Sequence, residues 1–147
     1  MANPRGTPRS KRPAGSKPAR KPSVPSNNSL TESAARPVLF VHWHADEARH
    51  LAGILASAGI RSELWRDSLK LSEVRAMGPR ACVISLRRLP SHGRAVAEAL
   101  QSTQWGRAIP LIFLDGDPER LSICLDRFPS ANHTTLAALP QLLAAMR

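Results

Sequence analysis

Eight residues of chemically capable types fall into three short clusters: His42, Trp43 and His44; Ser85, Arg87 and Arg88; and Asp115 and Asp117. His42, His44, Asp115 and Asp117 supply the nitrogen and oxygen donors that suit a divalent metal. The Ser85 hydroxyl beside the Arg87 and Arg88 guanidiniums suits an anion. Ser85, His42 and Asp115 are the residue types of a nucleophilic hydrolase. None of the three sets has the spacing that makes its chemistry specific. His-x-His is a weak ligand motif by itself, and Asp117, standing before Pro118 and Glu119, is explained as a helix cap. Ser85 lacks the Gly-x-Ser-x-Gly elbow that exposes a nucleophile. The glycines are scattered, with neither GxGxxG nor GxxxxGK among them. The sequence therefore assigns no catalytic residue, no metal and no cofactor. The eight residues stand as binding candidates in a protein that is not read as an enzyme.

The clusters follow apolar runs, and the runs define the elements that position them. Val38-Leu39-Phe40-Val41, Ala81-Cys82-Val83-Ile84 and Ile109 to Leu114 are continuous and short, as strands buried on both faces should be. Ile60 to Trp65 alternates and reads as a half-buried edge strand, with Trp65 facing outward as a possible anchor for a protein partner. Residues 130–134 read as a weak last strand. Helices are expected between the strands. Residues 46–58 carry the stripe Leu51, Ile54, Leu55 and Ala58, with Asp46 and Glu47 in the first turn and Gly59 closing the helix. Asp67 is expected to cap a short helix through Met77, and Pro90 precedes a helix bearing Val96, Ala97 and Leu100. Asp117-Pro118-Glu119 opens a helix to about Arg127, and a last helix starts near Leu139 because Pro140 fits only a first turn. The alternation βαβαβαβαβα predicts an α/β fold: a three-layer, doubly wound parallel sheet of about five strands, flavodoxin-like, with right-handed crossovers. In such a sheet ligands bind outside the carboxyl ends of the strands, and all three clusters fall there.

Residues 38–147 resemble the receiver domain of response regulators, the CheY-like superfamily. The first strand leads into His42-Trp43, where receivers place their paired acids. Val83 to Gly93 looks like the receiver's passage of strand, aspartate, proline and glycine, and Ile109 to Gly116 is similar to the fourth-strand signature. Ser85 stands where a receiver has its phospho-accepting aspartate, eight residues before Gly93, and the spacing to Pro90 is off by one. Asp115 stands in place of the Thr or Ser that contacts the phosphoryl group. No lysine follows the last strand; the domain's single lysine is Lys70, and Thr134 is the nearest candidate there. The resemblance implies the fold and a regulatory role in signal transduction. The departures argue against phosphorylation on an aspartate.

Charge is unevenly placed. Of the net +10, residues 1–36 hold +7, from eight Lys/Arg against Glu32 alone, and residues 37–147 hold +3. The first 36 residues also carry Pro4, Pro8, Pro13, Pro18, Pro22 and Pro25 and almost no large apolar side chain. Such a segment cannot bury enough surface to offset its ordering entropy, so it reads as a disordered basic tail, with the domain over 37–147. The tail is compositionally similar to the Lys/Pro/Ala tails of linker histones and bacterial nucleoid-associated proteins. Arg5, Arg9, Lys11, Arg12, Lys17, Arg20 and Lys21 are its candidates for sequence-independent contacts with DNA or RNA phosphates. No apolar run is long enough to span a bilayer, and the basic start lacks the apolar core of a secretory signal. The chain is read as cytoplasmic, with an unidentified protein as the expected partner. Cys82 and Cys124 lie in apolar runs without CxxC spacing and read as buried reduced thiols.

Overall fold

The computed structural model describes Gly6, residues 35–87 and residues 90–146. The seven tail cations from Arg5 to Lys21, and Arg88, lie outside the described residues. The strands are β1 (Val38–Val41), β2 (Ser62–Leu64), β3 (Ala81–Ser85), β4 (Leu111–Leu114) and β5 (Asn132–Thr134). Between and after them come α1 (Ala45–Ser57), α2 (Leu71–Met77), α3 (Pro90–Gln101), α4 (Pro118–Arg127) and α5 (Leu139–Ala145). All strands pair in parallel, in the order β2-β1-β3-β4-β5. This is the flavodoxin-like order, and its direction reverses between β1 and β3.

The period-2 alternation of the strands sorts their side chains into two apolar layers. Val38, Phe40, Ala81, Val83, Ile112 and Leu114 face α1 and α5, where they meet Leu51, Leu55, Leu139 and Leu143. Leu39, Val41, Cys82, Ile84, Leu111 and Phe113 face the other way, onto Val74 of α2, Val96, Ala97 and Leu100 of α3 and Cys124 of α4. Because β1, β3 and β4 are covered on both sides, almost every position in them must be apolar. The outer strands β2 and β5 are short and less buried, and their sequences are correspondingly polar. Phe113 is fully buried and meets Phe128 with ring centroids 5.9 Å apart. Burying a side chain of that size contributes about 1.5–3 kcal/mol. Both thiols are buried, and burial pushes the Cys82 thiol up to about 12.

Two local expectations fail. Asp67 does not cap α2. That helix starts at Leu71, and Glu73 accepts the Lys70 backbone N–H at 2.7 Å, a nearer capping partner than Asp67. Trp65 does not face solvent. Leu64 packs on the α1/α5 layer, and Trp65, one residue on, turns to the opposite layer and packs there half-buried. An edge strand in a three-layer fold is still covered on both faces.

At the amino edge the chain is tied in before Pro37. Arg36 donates from Nε to the Gly78 carbonyl at 2.6 Å and from Nη2 to the Pro79 carbonyl at 3.1 Å. These carbonyls follow α2, whose end is set by Gly78 in the left-handed conformation at φ +59°.

Candidate functional site

The carboxyl ends of β1 and β3 flank the switch point, and the residues that follow them build the site. His42 leaves β1 and turns inward, with its side chain only 7% exposed. Its Nδ1 accepts the His44 backbone N–H at 3.1 Å, which leaves the ring proton on Nε2, 3.3 Å from the Glu47 carboxylate. Burial lowers the proton affinity of His42 below the usual imidazole range, and the Glu47 charge opposes that shift. Trp43 turns outward and is 57% exposed, one of two large apolar side chains, with Ile123, that are exposed among the described residues. The Trp43 and His92 rings meet in a T-shaped contact, centroids 5.4 Å apart and planes inclined by 66°. His44 is exposed and serves as the N-cap of α1 without a side-chain cap bond.

After β3, Ser85 is half-buried, and its Oγ lies 3.5 Å from the Arg87 backbone N–H, the outer limit of a hydrogen bond. The Arg87 side chain is exposed, and its charge reaches His42, further disfavouring the imidazolium. After β4, Asp115 adopts the left-handed conformation at φ +52°, which a short polar side chain tolerates. Its N–H donates to the Thr134 carbonyl at 3.1 Å. Gly116 follows at φ +106°, where a Cβ would stand 2.8 Å from Leu86 Cβ, so glycine alone lets the turn close on the buried Leu86. The turn delivers Asp117 to the N-cap of α4. Its Oδ1 accepts the Arg120 N–H at 3.0 Å and its Oδ2 lies 3.1 Å from the Arg120 guanidinium. Arg87, Asp115 and Asp117, with Gly116, Thr135, Leu136 and Ala137, line an open cleft of ≈ 580 Å³.

The structure thus divides the sequence candidates into two groups. Arg87, Asp115 and Asp117 share the cleft, and neither Arg87 nor Asp115 has an ion-pair partner among the described residues. His42 is locked to Glu47 and to its own loop, while Trp43 turns to His92. The metal quartet does not assemble, since both His42 nitrogens and both Asp117 oxygens are engaged. No group of three metal-ligating side chains occurs among the described residues. A Ser85-His42 relay has no free imidazole nitrogen to receive the hydroxyl proton. The sequence left His92, Thr135 and Gly116 out of the candidates. Gly116 carried a signal in the Asp-Gly pair after an apolar run; the other two become visible only when the loops are folded together.

No family model matches the chain, and no curated protein matches it. Among solved structures it is similar to a response regulator in red light signalling of R. palustris, at 17% sequence identity and a TM-score of 0.46, covering 75% of this chain and 90% of that chain. The chain's own strand order and switch point carry the assignment of architecture. The fold is flavodoxin-like. His42 and Trp43 follow β1, Ser85 ends β3, and Asp115 follows β4. No helix among the described residues is long and apolar enough to cross a membrane.

Proposed function

We propose that the domain is a non-catalytic, receiver-like regulatory module that engages a protein partner through the carboxyl edge of its sheet. The observation that carries this reading is the pairing of opposite fates at the switch point. His42, the group there best suited to proton chemistry, is sequestered, and Trp43 beside it is presented to solvent. Exposed indoles are strong interface anchors, and truncating one at the centre of an interface costs roughly 2 kcal/mol or more. The reading also holds that no aspartate accepts a phosphoryl group. Ser85 is a poor nucleophile without an adjacent base, and His42 and Trp43 offer no hard oxygen ligands for Mg²⁺. Asp115 would set a negative charge against incoming phosphoryl oxygens.

The concentration of +7 on residues 1–36 supports a second, compatible role: sequence-independent contact of the tail with DNA or RNA phosphates. Affinity capture from a cell extract with the full chain, with residues 35–147 alone and with the Trp43→Ala full chain separates the two. The proposal expects a partner protein recovered by the first two and depleted about 30-fold by Trp43→Ala, and nucleic acid recovered by the tailed chains only. Recovery of the partner undiminished by Trp43→Ala would move the interface off this edge. Nucleic acid held equally well by residues 35–147 would contradict the role of the tail.

A further inference from the structure

The cleft formed by the loops after β3, β4 and β5 holds charges of both signs that do not meet. The Arg87 guanidinium and the Asp115 carboxylate both line it, yet they form no ion pair with each other. Neither side chain hydrogen-bonds to another described residue, although Asp115 is half-buried. Both backbones are tied to the sheet. Arg87 follows the fully buried Leu86, whose N–H donates to the Leu114 carbonyl at 3.0 Å. Asp115 is held by its left-handed turn and by its own N–H bond to the Thr134 carbonyl. The rest of the lining is of two kinds. Asp117 is a second carboxylate, already facing the Arg120 guanidinium at 3.1 Å. Leu136 and Ala137 are apolar, and Leu136 is half-buried on the α1/α5 layer. The volume of ≈ 580 Å³ falls within the range of about 300–1,000 Å³ that small-molecule sites occupy.

We propose that this cleft binds a small zwitterion, an α-amino acid with an apolar side chain. Its carboxylate would be taken by the Arg87 guanidinium, whose fork of donors suits a carboxylate in a bidentate pair. Its ammonium group would be taken by Asp115, and its side chain would lie on Leu136 and Ala137. The sign pattern selects this class over the simpler ones. A lone anion at Arg87 meets Asp115 and Asp117 as like charges, and a lone cation at Asp115 meets Arg87. An uncharged apolar ligand would leave both charges without a partner. A zwitterion satisfies each at once, and the Asp117 charge is already balanced by Arg120. The inference goes beyond the docking role of the edge, because it assigns a ligand to a cleft that contains neither Trp43 nor His42.

The test titrates the full chain with leucine and follows the backbone amides by NMR. Four further probes run beside it: 4-methylpentanoate, which keeps the carboxylate and lacks the ammonium; 3-methylbutylamine, which keeps the ammonium and lacks the carboxylate; glycine, which lacks the apolar side chain; and inorganic phosphate. Affinity of roughly millimolar scale is expected for so small a ligand in an open cleft. The inference expects saturable shifts at Gly116 and at Thr135 to Ala137 with leucine. Each of the other probes should bind at least about five-fold more weakly, the upper range for one charge contact at an exposed site. Arg87→Gln and Asp115→Asn should each weaken leucine by a similar factor. Asparagine tolerates the left-handed conformation of Asp115, Arg87 is exposed, and the remaining amide spectrum reports whether each variant is folded. The inference is overturned by any of four results: no saturable shift with leucine, shifts confined to residues outside the cleft, binding of any other probe as tight as that of leucine, or leucine binding unchanged in either variant. Partner capture through Trp43 does not depend on these results, so the two readings fail separately.

Discussion

Gly93→Ala should destabilise this domain even though it improves the helix. Gly93 is the fourth residue of α3, where alanine is intrinsically favoured over glycine by about 1 kcal/mol. A Cβ at Gly93 would stand 2.5 Å from Ile84 Cγ2, against an ordinary contact of 3.4–4 Å. Ile84 is fully buried in β3 and has no free volume to retreat into, so the first turn of α3 must lift from the sheet. Overpacking of this kind costs about 1–3 kcal/mol, leaving a net loss of about 0–2 kcal/mol. In an Ile84→Ala background the obstructing methyl is absent, and Gly93→Ala should stabilise by about 1 kcal/mol. Urea unfolding of the four chains in the double-mutant cycle measures the coupling directly, and its expected size is the overpacking cost. A coupling below about 0.5 kcal/mol, the level at which independent sites add, would refute the close approach of α3 to β3.

Two further outcomes are expected. Removing the Arg36 side chain costs two hydrogen bonds to the Gly78 and Pro79 carbonyls, about 1 kcal/mol for this exposed residue. Residues 35–147 should melt with the full chain and residues 37–147 about 4 °C lower; equal melting of the two truncated chains would show that Arg36 contributes nothing. The second concerns His42, whose proton affinity is lower folded than unfolded, chiefly through burial. The unfolded state then binds more protons as pH falls below the ordinary imidazole value of 6.5, and stability declines until the lowered folded value is passed. The limiting slope is about 1.4 kcal/mol per pH unit. Denaturant midpoints in that window should fall with pH in the native chain and less steeply in His42→Gln; identical slopes would contradict the burial of a neutral His42.

The legible parts of this fold are those where one physical demand acts alone. β1, β3 and β4 are covered on both faces, which admits only apolar runs such as Val38 to Val41, and these are plain in the sequence. The α4 cap is equally plain, because Asp117, Pro118 and Glu119 satisfy the helix start in order. β5 is faint because Asn132 and His133 lie exposed at the sheet edge. Asp67 misled because a capping residue type three positions too early competes with Glu73, which the sequence also contains. At the site, the three loops were placed correctly on one edge by the order of the elements. Which side chains meet was not legible: the turning of His42 onto Glu47, and of Trp43 onto His92, depends on loop geometry that spacing does not encode.

Under the proposed function, no aspartate of this domain accepts a phosphoryl group. The most direct test is to incubate the full chain with Mg²⁺ and acetyl phosphate or phosphoramidate and to measure its intact mass. No Mg²⁺-dependent gain of a phosphoryl group is expected, because Ser85 ends β3 where a carboxylate nucleophile is needed and His42 is held by Glu47 and His44. Stoichiometric, Mg²⁺-dependent phosphorylation on an acid of the carboxyl edge, Asp46, Glu47, Asp115 or Asp117, would contradict it.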